Sequence, residues 1–128
     1  MSAALTELER ARYLSLTTFR KSGVAVAVPV WAACDDGLYY IFSAGGAGKV
    51  KRLRNSTRAR LAKCDARGKV LGDWHDAEAH ILQDADQIAT ALRALRRKYG
   101  LQMLLADIGA KLLGKFDKRA YIGVTLAG

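Results

Sequence analysis

Three short turns constrain this chain more than any other feature. Lys21-Ser22-Gly23, Asp35-Asp36-Gly37 and Ala66-Arg67-Gly68 each separate strand-like stretches by only a few residues. Connections of that length join antiparallel neighbours, whereas a parallel crossover needs roughly a dozen residues or more. A parallel doubly wound sheet is therefore excluded. Residues 13–19, rich in Leu, Thr and aromatics, read as the first strand. Residues 24–33 alternate Val with Ala, so both faces are apolar, which predicts a strand covered on each side. Pro29 inside it cannot donate to a ladder, so a bulge, an edge or an unusual partner is expected there. Residues 38–43 form the clearest strand, and residues 58–65, 69–72, 74–82 and 118–126 supply the others.

Helices interrupt these strands at three places. Thr6-Glu7-Leu8-Glu9 has the capping-box form, predicting a helix over residues 7–12 with Thr6 as its cap. Val50 and Leu53 recur among basic residues over 49–55, which predicts a short helix. Asp84 or Asp86 can cap a third helix, whose Ile88, Leu92, Leu95 and Tyr99 make an amphipathic stripe ended by Gly100. Residues 101–113 are helical in pattern and apolar over most of the circumference. The expected fold is one domain over residues 1–128, mainly β within the α+β class, built as a small antiparallel barrel with flanking helices.

With 128 residues, 51% of them hydrophobic, a conventional core is expected. No apolar run approaches the ~18 residues that span a bilayer. The acidic N-terminus lacks the basic region of a secretory signal, so a soluble, cytoplasmic protein is expected. Cys34 and Cys64 are far apart, with no Cys or His at zinc-ligand spacing, and read as reduced cysteines packed in strands. No metal site is expected.

The net charge of +9 points to an anionic partner: a polynucleotide, a membrane surface or a phosphorylated small molecule. The local arrangement separates these. Ser43-Ala44-Gly45-Gly46-Ala47-Gly48-Lys49-Val50-Lys51-Arg52 runs from a strand, through a glycine-rich turn, into a helix N-terminus. Unpaired N–H groups and the positive end of the helix dipole gather at such a place, and glycines admit a ligand close to the backbone. Lys49, Lys51 and Arg52 add full charges, so a phosphate is the natural occupant. The Gly-Lys-Ser/Thr ending of a nucleotide-triphosphatase loop is missing. Arg58, Arg60 and Lys63 extend the basic stripe, but no aromatic side chain interleaves for stacking, which disfavours nucleic acid.

Val28-Pro29-Val30-Trp31 is the second notable segment. Proline leaves neighbouring backbone free to meet a ligand such as a planar ring; an edge strand with a buried Trp explains it equally well. No nucleophile–base constellation is visible, and His75 and His80 read as structural. If the protein is an enzyme, a cofactor must carry most of the chemistry.

Together these segments resemble the deazaflavin (coenzyme F420)-dependent oxidoreductases related to pyridoxamine-phosphate oxidase, the B type of the flavin/deazaflavin oxidoreductases. The resemblance rests on residues 13–23, on Val28-Pro29-Val30-Trp31, on Gly48-Lys49-Val50-Lys51-Arg52-Leu53-Arg54-Asn55, and on Cys64-Asp65-Ala66-Arg67-Gly68-Lys69-Val70-Leu71-Gly72. It implies a split β-barrel homodimer with a cofactor at each subunit interface. It assigns Gly48, Lys49, Lys51 and Arg52 to the cofactor phosphate. Val28, Pro29, Val30 and Trp31 would lie along the isoalloxazine-type ring, and Ser43 and Ala44 beside the phosphate and ribityl chain. The implied reaction is hydride transfer between reduced F420 and an unsaturated small-molecule substrate, with FMN as the alternative cofactor. Relatives often carry Thr or Ser where this chain has Val28, so here only the backbone amide could bond the cofactor at that position.

Overall fold

The computed structural model describes residues 3–127; Met1, Ser2 and Gly128 of the expected 1–128 domain lie outside the described residues. In chain order the elements are α1 (Ala3–Arg10), β1 (Tyr13–Phe19), β2 (Ala25–Val30), β3 (Ala32–Asp35), β4 (Leu38–Ala44), α2 (Gly48–Asn55) and β5 (Arg58–Cys64). These are followed by β6 (His75–Ile81), α3 (Ala85–Tyr99), α4 (Leu101–Leu112), a 3-10 turn (Phe116–Lys118) and β7 (Arg119–Leu126).

Every strand pair is antiparallel, and the order across the seven-stranded sheet is β2-β1-β5-β6-β7-β4-β3. Laid flat, its two edges would be roughly 29 Å apart, at about 4.8 Å per strand. Yet those edges, β2 and β3, are separated along the chain only by Trp31. One residue between them spans at most about 7 Å. The sheet must therefore roll until its edges meet, and the result is a split antiparallel β-barrel with flanking helices.

The period-two pattern divides the side chains between two cores. Tyr39, Ile41, Ile122, Val124, Leu14, Leu16 and Leu61 point into the barrel, joined by Leu8 of α1 and by Val50 and Leu53 of α2. Their neighbours Ala33, Tyr40 and Tyr121 point outward and meet Ala91, Leu95 and Tyr99 of α3 and Met103 of α4. The stripe read from the sequence of α3 is thus its contact with the barrel wall.

Four local expectations are corrected. Residues 24–33 are not one strand but two, because the chain leaves one sheet edge and joins the other at Trp31. Nor is β2 covered on each side: it is the edge strand that Pro29 allows, with Ala25, Ala27 and Pro29 exposed. The first helix starts at Ala3 and ends at Arg10, which places Thr6 inside it and not at its cap; Ala3, Ala4 and Leu5 are strong helix formers that extend it upstream. Residues 69–72 do not form a strand: past the turn at Gly68, at φ +93°, they make only a single bridge, Cys64 with Val70.

Among the described residues no helix is long and apolar enough to cross a membrane. In α4 the apolar circumference is only partly used: Met103 and Asp107 are buried, while Leu101, Leu104, Leu105, Ile108 and Leu112 stay exposed.

Candidate functional site

The seam at Trp31 gathers several of the expected residues. Lying between two ladders, the indole is fixed by packing. It stacks on Tyr99 of α3, with centroids 5.0 Å apart and planes 13° from parallel, and meets Phe42 of β4 edge-on at 6.0 Å. The Tyr99 hydroxyl accepts from the Ala32 N–H at 3.0 Å and donates to the Arg12 carbonyl at 2.9 Å. Next to it, Lys98 donates to the carbonyls of Glu9, Ala11 and Ala32 at 3.1, 2.7 and 2.6 Å, which uses all the donors of an ammonium. Burial, with Arg12 nearby, lowers this amine to about 8. Two consecutive residues of α3 therefore pin the backbone that follows Trp31.

Pro29, Val30 and Trp31 line a cleft of about 290 Å³ together with Tyr13, Phe42, Lys49, Ala66 and Ala106. A second cleft of about 330 Å³ shares Phe42 and is lined by Ser43, Ala44, Gly45, Gly46, Ala110, Lys115, Lys118 and Arg119.

The basic end of the first cleft is built by α2. Its N-cap, Ala47, has no side chain that could bond the first-turn N–H groups, and no acidic residue occupies that turn. Arg52 folds back along the helix: a Cβ on Gly48 would come within 2.7 Å of its Nη1. Its Nε donates to Oγ1 of the fully buried Thr18 at 2.6 Å, which fixes the guanidinium. Burial, then the Arg52 charge, hold the Lys49 ammonium below its ordinary range; burial, then Arg20, act likewise on Arg52. Among the described residues neither has an ion-pair partner. Two crowded cations beside open helix N–H groups make this end of α2 strongly positive.

The sequence-predicted residues thus fall into separate places. Pro29, Val30, Trp31 and Lys49 share the first cleft, while Ser43 and Ala44 line the second. Gly48 and Arg52 lie against each other on α2. Lys51 is exposed and lines neither cleft, and Val28 packs partly buried against the barrel core. Sequence reasoning missed Phe42, Tyr99 and Ala106. Phe42 reads as an ordinary strand residue and Tyr99 as the end of an amphipathic stripe, and nothing in Ala106 marks it. Among the described residues no group of three or more His, Cys, Asp or Glu could hold a metal ion.

The sequence matches no protein-family model and no curated protein. Solved structures do share the fold. The heme storage protein HutZ from Vibrio cholerae superposes with a TM-score of 0.72 at 11% identity, covering 97% of this chain and 87% of that one. A candidate pyridoxamine 5′-phosphate oxidase from Listeria innocua gives 0.62 at 12% identity, over 97% and 90% of the two chains. An F420 reductase gives 0.65 at 14% identity, over 100% and 96%. The fold of this chain is accordingly the split barrel of pyridoxamine-phosphate-oxidase-like proteins.

Proposed function

We propose that this protein is an oxidoreductase that binds coenzyme F420, with FMN as the alternative, in the cleft between Trp31 and the N-terminus of α2. The observation that carries this reading is the pairing of a fixed aromatic wall with an unpartnered cationic end on one cleft. Trp31, held by Tyr99 and Phe42, with Pro29 and Val30 beside it, suits the face of a planar ring. Lys49 on the cleft wall, with Arg52 and the uncapped first turn of the same helix, suits its phosphate. When bound, such a cofactor supplies hydride transfer; the protein supplies orientation, exclusion of water and charge. The F420 reductase and the candidate pyridoxamine 5′-phosphate oxidase that share the fold support this choice over other phosphorylated ligands.

The cleft of about 290 Å³ lies at the lower end of ligand-site volumes and would hold a ring system, not a whole cofactor. A second copy of the chain would complete it. The exposed leucines of α4, the helix that lends Ala106 to the cleft, support a homodimer closed over this edge.

Parallel titrations with F420 and FMN, read by cofactor absorbance and tryptophan quenching, test the proposal. Lys49→Ala or Arg52→Ala removes a charge-assisted bond of about 1.5–3 kcal/mol, so affinity should drop roughly ten- to a hundredfold. No binding of either cofactor at micromolar concentration would sink the reading. A second reading, a protein that holds a redox ligand without turning it over, is favoured by the heme storage protein on the same fold. Binding without oxidation of reduced F420 across a broad panel of acceptors would select it.

A further inference from the structure

The second cleft has a composition that the cofactor phosphate does not use. Its walls are the end of β4 with Ala44, Gly45 and Gly46, the Lys115–Lys118 segment, and Ala110 of α4. These walls are stitched together: the Gly45 N–H donates to the Lys118 carbonyl at 3.0 Å, one step past the last β4–β7 pair, Ala44 with Arg119. Arg119 is fixed as well. Its side chain, only 6% exposed, donates to Asp107 at 2.7 Å and lies over the rings of Phe42 and Phe116 at 4.5 and 5.0 Å. The cleft is therefore preformed.

Its charge is one-sided. Three cations line it and no carboxylate does. Asp107 already answers Arg119, so the uncompensated charges are the exposed Lys115 and Lys118, neither ion-paired among the described residues. The rest of the lining is the Phe42 ring, alanines, glycines and Ser43, whose hydroxyl is taken up by the Ala44 carbonyl at 3.2 Å. A bare inorganic anion would leave that apolar surface unmatched, and a neutral hydrocarbon would leave the lysines unmatched.

We infer that this cleft is a second binding site, for an organic carboxylate with a compact apolar or aromatic body. The body packs on Phe42 and the alanines, and the carboxylate faces Lys115 and Lys118. Because Phe42 also lines the first cleft, an occupant here sits next to whatever lies on Trp31; that it is the substrate rests on the oxidoreductase reading, while the site itself does not.

The test uses the full chain without cofactor, in ¹H–¹⁵N correlation spectra titrated with benzoate, benzyl alcohol and acetate. Benzoate should shift the amides of Gly45, Gly46 and Ala110 saturably. It should bind about tenfold tighter than either benzyl alcohol, which lacks the charge, or acetate, which lacks the body. The variant Lys115→Gln/Lys118→Gln alters only exposed side chains and should abolish the preference for benzoate over benzyl alcohol. Equal binding of the two probes, shifts confined to the α4 leucines, or an unchanged double variant would each overturn the inference. Benzoate binding in a protein that takes up neither F420 nor FMN would keep this site and sink the cofactor reading. Cofactor binding without any benzoate response would do the reverse.

Discussion

Replacing Tyr99 by Phe tests how the seam at Trp31 is held. The ring stays, so its stack on Trp31 at 5.0 Å is retained, and only the hydroxyl goes. That hydroxyl serves three backbone groups whose losses differ. Arg12 is exposed, so water can take over its carbonyl; the Ala32 carbonyl keeps Lys98 at 2.6 Å. The Ala32 N–H has no such replacement, since Ala32 is only 1% exposed. A buried donor left unpaired costs about 1–3 kcal/mol, so that single N–H sets the expected loss. With a urea m-value near 2 kcal/mol/M, a loss of about 2 kcal/mol lowers the unfolding midpoint by about 1 M. Equilibrium urea unfolding of the wild type and Tyr99→Phe, in a Trp74→Phe background so that Trp31 alone reports, measures this directly. Native Trp31 fluorescence should hardly change, because its stacking partner persists. Tyr99→Leu removes the stack too and should shift the emission while costing about 0.5–1.5 kcal/mol more. A Tyr99→Phe loss below about 0.5 kcal/mol, or an altered Trp31 environment with the ring still present, would refute the argument that the hydroxyl clamps the backbone and the ring orients the indole.

Asp107→Ala should destabilise the protein by about 3–5 kcal/mol in the same assay, because it strands the buried Arg119 without a counter-charge. Arg96→Ala, which removes the half-exposed partner of the same carboxylate, should cost about 0–1 kcal/mol; equal losses would mean that the two arginines are not distinguished by burial. Gly45→Ala drives a methyl into the Lys118 carbonyl oxygen and should lower the thermal midpoint, whereas at Gly46 nothing lies within 4 Å and alanine should be tolerated. Burial, then the Glu9 charge, push the Cys34 thiol from 9.0 up to about 11. Its iodoacetamide alkylation at pH 8 should therefore run about a hundredfold slower than in the urea-unfolded chain, where the thiol titrates normally. Equal rates would contradict the burial.

The antiparallel sheet and the two helices after β6 were legible because turn chemistry and periodicity are local. Asp36 and Gly37, at φ +51° and +82°, occupy the left-handed region that two-residue hairpins demand, and such sequences announce it. The glycine-rich turn leading into a basic helix was equally readable, since an uncapped N-terminus and its neighbouring cations lie within ten residues. The break at Trp31 was not legible. Val24 to Ala33 carries no turn residue at Trp31, and only the meeting of two distant sheet edges ends one ladder and begins another. For the same reason Phe42 and Ala106 could not be assigned to the cleft, nor Tyr99 to the stack on Trp31: each has an unremarkable local pattern and gains its role from elements far away in sequence. Of the basic residues, charge alone could not tell Lys49 and Arg52, which crowd together at the start of α2, from Lys51, which is exposed on the same helix. Residue type and spacing thus determined the turns, most of the strands and where positive charge gathers. Barrel closure decided which side chains share a cleft, because it sets distances that no local pattern encodes.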